Sequence, residues 1–299
     1  MTGKLPDELL QEILAIRLSV DYRTFAKRSP EGLITRRSEA LELLLVSRRW
    51  QRIALPLMCE TILLASQQDA KILASLLTRH KGIGARVKKL RLEGAYGQIL
   101  RKILISLPNL SYLSVSLTVA SKKVAQGLCA GLRRVNPEYV VVHDKGQRFT
   151  NQGERNVVDS LIECMTSVWT NMRWYSHPDD VGEGPSNWRS YSARRDRARD
   201  LALALPRIPK LEVVYVTFPI YTVKILEHDP DNVILCALKN RAVRGIYSRG
   251  IWSDPNILNA QNLQEVLNLH PRLRELLHFP VRGPSIPSLD YAAIGNRNT

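Results

Sequence analysis

The chain has 299 residues, enough for about two domains or one elongated array, and its 44% apolar and 24% charged residues are the balance of an ordinary globular protein. No apolar run approaches the ~18 residues of a membrane span, and Asp7, Glu8 and Glu12 break the first apolar stretch where a secretory signal would be continuous, so a soluble, cytoplasmic and/or nuclear protein without a membrane partner is expected. The net charge of +15 is the one extreme, and nine Lys/Arg against two Asp/Glu fall within residues 61–120, which directs attention to acidic partners.

At the start of the chain, "LPDELLQEIL" (5–14) predicts a helix. Pro6 suits the first helical turn, and Asp7 and Glu8 set negative charge against the positive helix end. Leu9, Leu10, Ile13, Leu14 and Ile16 recur at three- and four-residue intervals, which reads as one apolar stripe. A helix of three turns is marginal alone and must find a surface to lie on. Residues 17–39, with "KRSPEGLITRRSE" (27–39), read as a long exposed loop. Next come two further helices with a break at Ser47, a candidate N-cap. Leu41, Leu44 and Leu45 give one apolar face, and Trp50, Ile53, Ala54 and Leu57 stripe the other helix until Pro56 disturbs it.

The pattern Leu5-Pro6-x-Glu8-Leu9-Leu10-x-x-Ile13-Leu14, then Val46-Ser47-Arg48-Arg49-Trp50, then Leu55-Pro56-Leu57 and "ETILL", resembles the F-box in the form seen in many fungal F-box proteins. What the resemblance implies is a three-helix module over residues 1–64 that docks to a Skp-type adaptor and through it to a cullin. The host chain would then belong to an SCF-type ubiquitin ligase complex. Carried over, the adaptor-facing positions are Leu5, Pro6, Ile13, Val46 and Trp50, with Leu9, Leu10 and Ile53 serving either the adaptor or the module's own core. The long insert departs from the compact form of the family.

Residues 65–282 repeat one layout: a helical apolar stripe, a short turn, then a brief alternating strand. The clearest copies are 70–94, 99–117, 201–218 and 263–280, and weaker ones span 122–144, 156–179 and 233–250. In the second, Leu110, Leu113, Val115 and Leu117 have the L-x-x-L-x-V-x-L spacing typical of leucine-rich repeats. Strands that each follow a helix are most simply laid side by side in a parallel sheet with right-handed crossovers. The predicted fold class is therefore α/β: a helical module followed by an irregular αβ solenoid whose strand face is a surface for gripping a macromolecule. A compact α/β domain is the alternative. Residues 283–299 are rich in Pro, Gly and Ser and read as a flexible tail.

Basic residues suggest a second surface. Lys81, Arg86, Lys88, Lys89 and Arg91 flank the first predicted strand of the array, and Arg189, Arg194, Arg195, Arg197 and Arg199 cluster near Trp188 and Tyr191. A partner-binding patch of Lys88, Lys89, Arg91, Arg194 and Arg195 follows, for an acidic protein more readily than for nucleic acid, since Asp196 and Asp200 interleave the second cluster. The loop 176–188 is a further recognition candidate, and Trp169, Trp174 and Trp252 read as core or turn-covering aromatics. His143-Asp144 and His177 with Asp179 and Asp180 are the only imaginable acid–base pairs, and no catalytic, metal or cofactor motif accompanies them. Cys59, Cys129, Cys164 and Cys236 have neither C-x-x-C pairing nor histidines at ligand spacing, so reduced thiols are expected. The chain reads as a non-enzymatic substrate receptor for ubiquitin ligation with an unknown protein target. The alternative is a basic scaffold whose first helices only cap the array.

Overall fold

The computed structural model describes residues 5–27, 29–144, 151–178, 188–216, 231–248, 264 and 267–278. Four helices come first: α1 (Asp7–Leu18), α2 (Tyr22–Ala26), α3 (Glu31–Leu45) and α4 (Arg48–Met58). Strands and helices then alternate: β1 (Thr61–Leu64), α5 (Gln67–Arg79), α6 (Lys81–Arg86), β2 (Lys89–Leu92), α7 (Ile99–Ile105), β3 (Tyr112–Ser116), α8 (Lys122–Leu132), β4 (Tyr139–His143) and α9 (Gln152–Glu163). The series continues with β5 (Trp174–Ser176), α10 (Trp188–Ala204), β6 (Val213–Val216), α11 (Val233–Lys239), β7 (Gly245–Ser248), α12 (Pro271–Leu276) and β8 (Leu277–His278). The eight strands among the described residues form one parallel sheet whose spatial order is the chain order. The sheet has no reversal of strand order, which is what places helices on both faces of a doubly wound sheet.

Side-chain alternation divides the sheet into two faces. Leu90, Leu92, Leu113, Val115, Val140, Val142, Tyr175, Val214, Val216 and Ile246 share one continuous core with Leu73, Leu77, Ile103, Leu104, Leu128, Leu132, Leu161 and Leu201 of the helices. The alternate strand residues point the other way and belong to no part of that core. Polar caps define where the helices begin. Ser66 and Asp69 form a capping box on α5, Asn151 and Glu154 do the same on α9, and Ser47 and Ser121 accept from Trp50 N and Val124 N. After α9 the chain makes a π turn (Cys164–Val168) into Trp169, which is buried and donates from Nε1 to the Leu132 carbonyl at the end of α8 (3.0 Å).

In-register pairing brings residues at one offset in successive units into contact across the turns as well. Just before the strands stand Glu60, Lys88, Glu138, Arg173 and Glu212. Lys88 Nζ lies 3.0 Å from Glu60, and Arg173 bridges Glu138 (3.4 Å) and Glu212 (2.7 Å). These are exposed pairs, worth about 0–1 kcal/mol each, and they fix order in the row more than stability. Asn109, Asn136 and Asn171 each sit three residues ahead of a strand. Asn109 donates to Ala85 O (2.7 Å), and Asn136 accepts from Asn171 N (3.0 Å).

Three expectations change. Residues 17–39 are not one loop: α2 and the first part of α3 occupy most of them, because Asp21 caps α2 through Thr24 N and Pro30 with Glu31 opens α3. "ETILL" contains the sheet's first strand, so a boundary at residue 64 separates β1 from the strand it pairs with. The copy at 263–280, whose spacing predicts a strand from about residue 273, reaches its strand only at Leu277, since Pro271 opens a further helix turn. The tail 283–299 and Trp252 lie outside the described residues.

Gly127 of α8 shows how closely the units approach. A Cβ there would lie 1.9 Å from the Gly97 carbonyl oxygen, and Gly97 itself has φ +70°. Gly127→Ala should therefore cost roughly 1–3 kcal/mol from overpacking, whereas Gly82→Ala, which meets nothing within 4 Å, should stay within about 1 kcal/mol of neutral or gain stability. Urea denaturation of both variants checks this contrast.

Candidate functional site

Two surfaces hold the residues singled out from the sequence. The first is the helical module. Ser47 ends α3 and caps α4, so that α4 returns along α1. Asp7, in the first turn of α1, is gripped by Arg49 (Nε–Oδ1 2.6 Å) and by Arg52, and Arg49 also donates to the Leu5 carbonyl. The hydrogen bond from Arg49, assisted by the charges of both arginines, outweighs the opposing effect of burial and holds the Asp7 carboxyl below its ordinary range.

The apolar residues of α1 form two stripes, where the sequence suggested one. Leu10 and Leu14 are buried against Ala54, with Leu18, Leu43, Leu44, Trp50, Ile53 and Leu57 packed around them. Leu9, Ile13 and Ile16, spaced four and three residues apart, face outward, and Ile13 and Ile16 are 53% and 80% exposed. Leu5, Pro6 and Val46 are exposed as well. Of the two roles left open for Leu10, docking and core, the structure gives it the core, because at 2% exposure it has nothing left to offer a partner. Trp50 and Ile53 are half-buried and shared between the core and the surface. An open groove of about 580 Å³ between α1 and α3 continues the outward stripe, lined by Ile13, Ile16, Thr24, Thr35, Arg36 and Glu39 among others.

The second surface is the face of the sheet turned away from α5–α12. An aromatic series crosses it, stepping two residues further along the strands between Trp174 and Tyr215. Tyr112 and Tyr139 stack at 4.1 Å, Tyr139 and Trp174 lie 5.2 Å apart, and the series runs on through Tyr215 (6.0 Å), Tyr247 (5.4 Å) and His278 (4.6 Å). Lys89 Nζ closes the row 5.1 Å above the Tyr112 ring. Behind it the strands carry small or buried residues: Arg91, Ser114, Val141 and Ser176.

This face is not open, contrary to the expected free strand surface. Phe25 of α2 is fully buried and meets Tyr112 edge-on at 6.4 Å, and the Tyr22 ring lies 5.2 Å from Tyr215. Arg91 Nη1 donates to the carbonyls of Phe25 (2.9 Å) and Lys27 (2.5 Å), while its Nε meets Glu93 Oε1 at 2.5 Å. Lys89 Nζ donates to Val20 O (2.5 Å), and burial holds its ammonium below the ordinary lysine range. Val20, Phe25, Leu33 and Leu63 make a small core of their own over this face.

The basic patch is accordingly corrected. Arg91 is fully buried, Lys89 is half-buried, and Lys88, though exposed, is paired with Glu60. Arg197 is buried between Asp144 (2.8 Å) and Glu154 (3.2 Å), and Arg199 pairs with Asp231. Burial outweighs the opposing charge of Arg197 and pushes the Glu154 carboxyl up. Arg194 and Arg195 lie on α10, but their side chains fall outside the described residues, as does most of the loop 176–188. The imagined acid–base pairs are interior groups: His143, Asp144 and His177 are all buried, and Tyr175 Oη contacts His177 Nδ1 at 3.3 Å. Asp179 and Asp180 are outside the described residues. None of the four cysteines is in a disulfide, and Cys129, Cys164 and Cys236 are buried. Among the described residues no group of three or more His, Cys, Asp or Glu is placed to hold a metal, and no helix is long and apolar enough to cross a membrane. Compared with known protein families and with curated proteins, the chain has no match.

The aromatic row was readable in principle, because Tyr112, Tyr139 and Trp174 each open a strand. The seat of Arg91 was not. Alternation within "KLRL" turns it away from Leu90 and Leu92, but only the folded position of α2 supplies the carbonyls it binds.

Two outcomes follow. Arg91→Met should cost roughly 3–5 kcal/mol in urea denaturation, because it leaves Glu93 buried without the guanidinium; a loss under about 1 kcal/mol would exclude that role for the ion pair. Asp7→Asn should destabilise at neutral pH only. With the folded pKa depressed, the contribution of Asp7 is complete above the ordinary aspartate range and lost as pH falls through the lower folded value, so the two proteins should converge in acid.

Proposed function

We propose that the chain is a substrate receptor. In this reading α1, α3 and α4 form an F-box-like module that docks to a Skp-type adaptor of a cullin-based ubiquitin ligase, and the sheet with its helices is a leucine-rich-repeat-like αβ solenoid that holds a target protein. The observation that carries the reading is the outward stripe Leu9, Ile13 and Ile16 with Leu5 and Val46, which the chain's own core leaves exposed. Contiguous exposed apolar residues of this kind mark partner surfaces, and a few of them supply most of the affinity. Strand order equal to chain order, and helices α5–α12 gathered on one face, support the repeat reading. No step of chemistry is required of the receptor: bringing a target close to a loaded ubiquitin carrier raises its effective concentration. The alternative of a basic scaffold for an acidic protein or nucleic acid loses its main support, because Arg91 and Arg197 are buried and Lys88 is paired.

The test is capture of a purified Skp-type adaptor. The wild type should form a complex, and Ile13→Ala with Val46→Ala should weaken it at least about tenfold, a loss of ~1.4 kcal/mol or more, while leaving the melting temperature unchanged because both side chains are exposed. Failure of the wild type to bind the adaptor overturns the proposal.

A further inference from the structure

Residues 19–27 bind the face of the sheet turned away from α5–α12 chiefly through two aromatic rings and three backbone carbonyls. Phe25 sits edge-on to Tyr112 and Tyr22 lies beside Tyr215. The carbonyls of Val20, Phe25 and Lys27 accept from Lys89 and Arg91. We propose that this segment is an internal ligand, occupying in cis the place where a target peptide bearing an aromatic side chain docks. The proposal deepens the receptor reading given above and rests on it for the existence of a target.

Three features separate a removable occupant from an ordinary piece of core. The contacts are generic, since any peptide carries carbonyls and an aromatic residue supplies the ring, so a second chain can reproduce them. The segment contributes one helix of five residues, α2, whose buried side chains join a small cluster apart from the main core. Ser114 Oγ and Ser176 Oγ, both on this face, are buried and have no hydrogen-bond partner among the described residues, whereas buried hydroxyls in folded proteins are nearly always satisfied. The aromatic row meanwhile runs past the segment to Tyr247, half-buried, and His278, exposed. An incoming aromatic side chain can stack there before the segment gives way. Because the internal ligand is tethered, it competes at an effective concentration on the order of millimolar, which sets the affinity a target must exceed.

The test uses the full chain and a fluorescein-labelled peptide of residues 19–27 as probe. Tyr22→Ala with Phe25→Ala removes both rings from the face in cis and leaves only the backbone carbonyls to compete, and this variant should bind the probe at least tenfold more tightly than the wild type. A probe with alanine in place of its phenylalanine should bind neither. Equal or absent binding to a variant that still melts cooperatively overturns the proposal. If the variant does not fold, amide exchange of the wild type decides: the α2 amides should exchange at least tenfold faster than those of β3 and β4, and equal protection overturns it. Adaptor capture measured in parallel keeps the two claims apart. Probe binding without adaptor capture supports the internal ligand and rejects the adaptor, while adaptor capture without probe binding does the reverse.

Discussion

In-register parallel pairing of each strand with the next in sequence is the constraint on which the other features depend. It converts a one-dimensional recurrence into rows. A leucine or valine on the even side meets its counterparts and the helices in one core, and the first residue of the strand meets its counterparts on the opposite face. The consequence is visible in unlike chemistries at once: in-register rings at Tyr112, Tyr139 and Trp174 and again at Tyr215, Tyr247 and His278, charges of alternating sign at Glu138, Arg173 and Glu212, and asparagines bridging successive turns at 109 and 136. No single rung is strong. Each is held because the backbone ladder on either side fixes its neighbours.

The first sixty residues are attached to this array from two directions. Through α4 the chain runs directly into β1, the first strand of the sheet. Through α2 it reaches back over the face turned away from α5–α12, where Arg91 and Lys89 hold its carbonyls. A module joined at only one point would swing against the sheet, and two attachments restrict that freedom. On the receptor reading proposed above, such restriction would matter because the distance between adaptor and target sets how often a lysine of the target meets the ubiquitin carrier. The same attachment covers part of the face a target would need, and positioning and occlusion are therefore one structural feature.

Much of the fold was legible from periodicity alone. The alternation of helix and strand after residue 64, the break at Ser47 and the parallel arrangement follow from apolar spacing and turn residues. What was hidden has a common cause. Whether Leu9 or Leu10 faces inward depends on the position of α4, which both residues could satisfy at helical spacing. That Arg91 and Arg197 are buried depends on partners 64 and 53 positions away, Lys27 and Asp144. A count of charges treats such arginines as surface, since nothing local distinguishes a buried guanidinium with distant acceptors from a solvated one. The segment 17–39 misled for a similar reason: its polar composition reads as loop, while the few residues that anchor it, Val20, Phe25 and Leu33, gain their meaning from Leu63 and Tyr112.

The central claim is that the outward stripe of α1 awaits a second chain. Amide hydrogen exchange of the full protein with and without a purified Skp-type adaptor reads it most directly. Protection gained along α1 and at the α3–α4 junction around Val46, with β2 to β6 unchanged, is the predicted pattern. Unchanged exchange along α1 at saturating adaptor, or protection confined to the sheet, would contradict it.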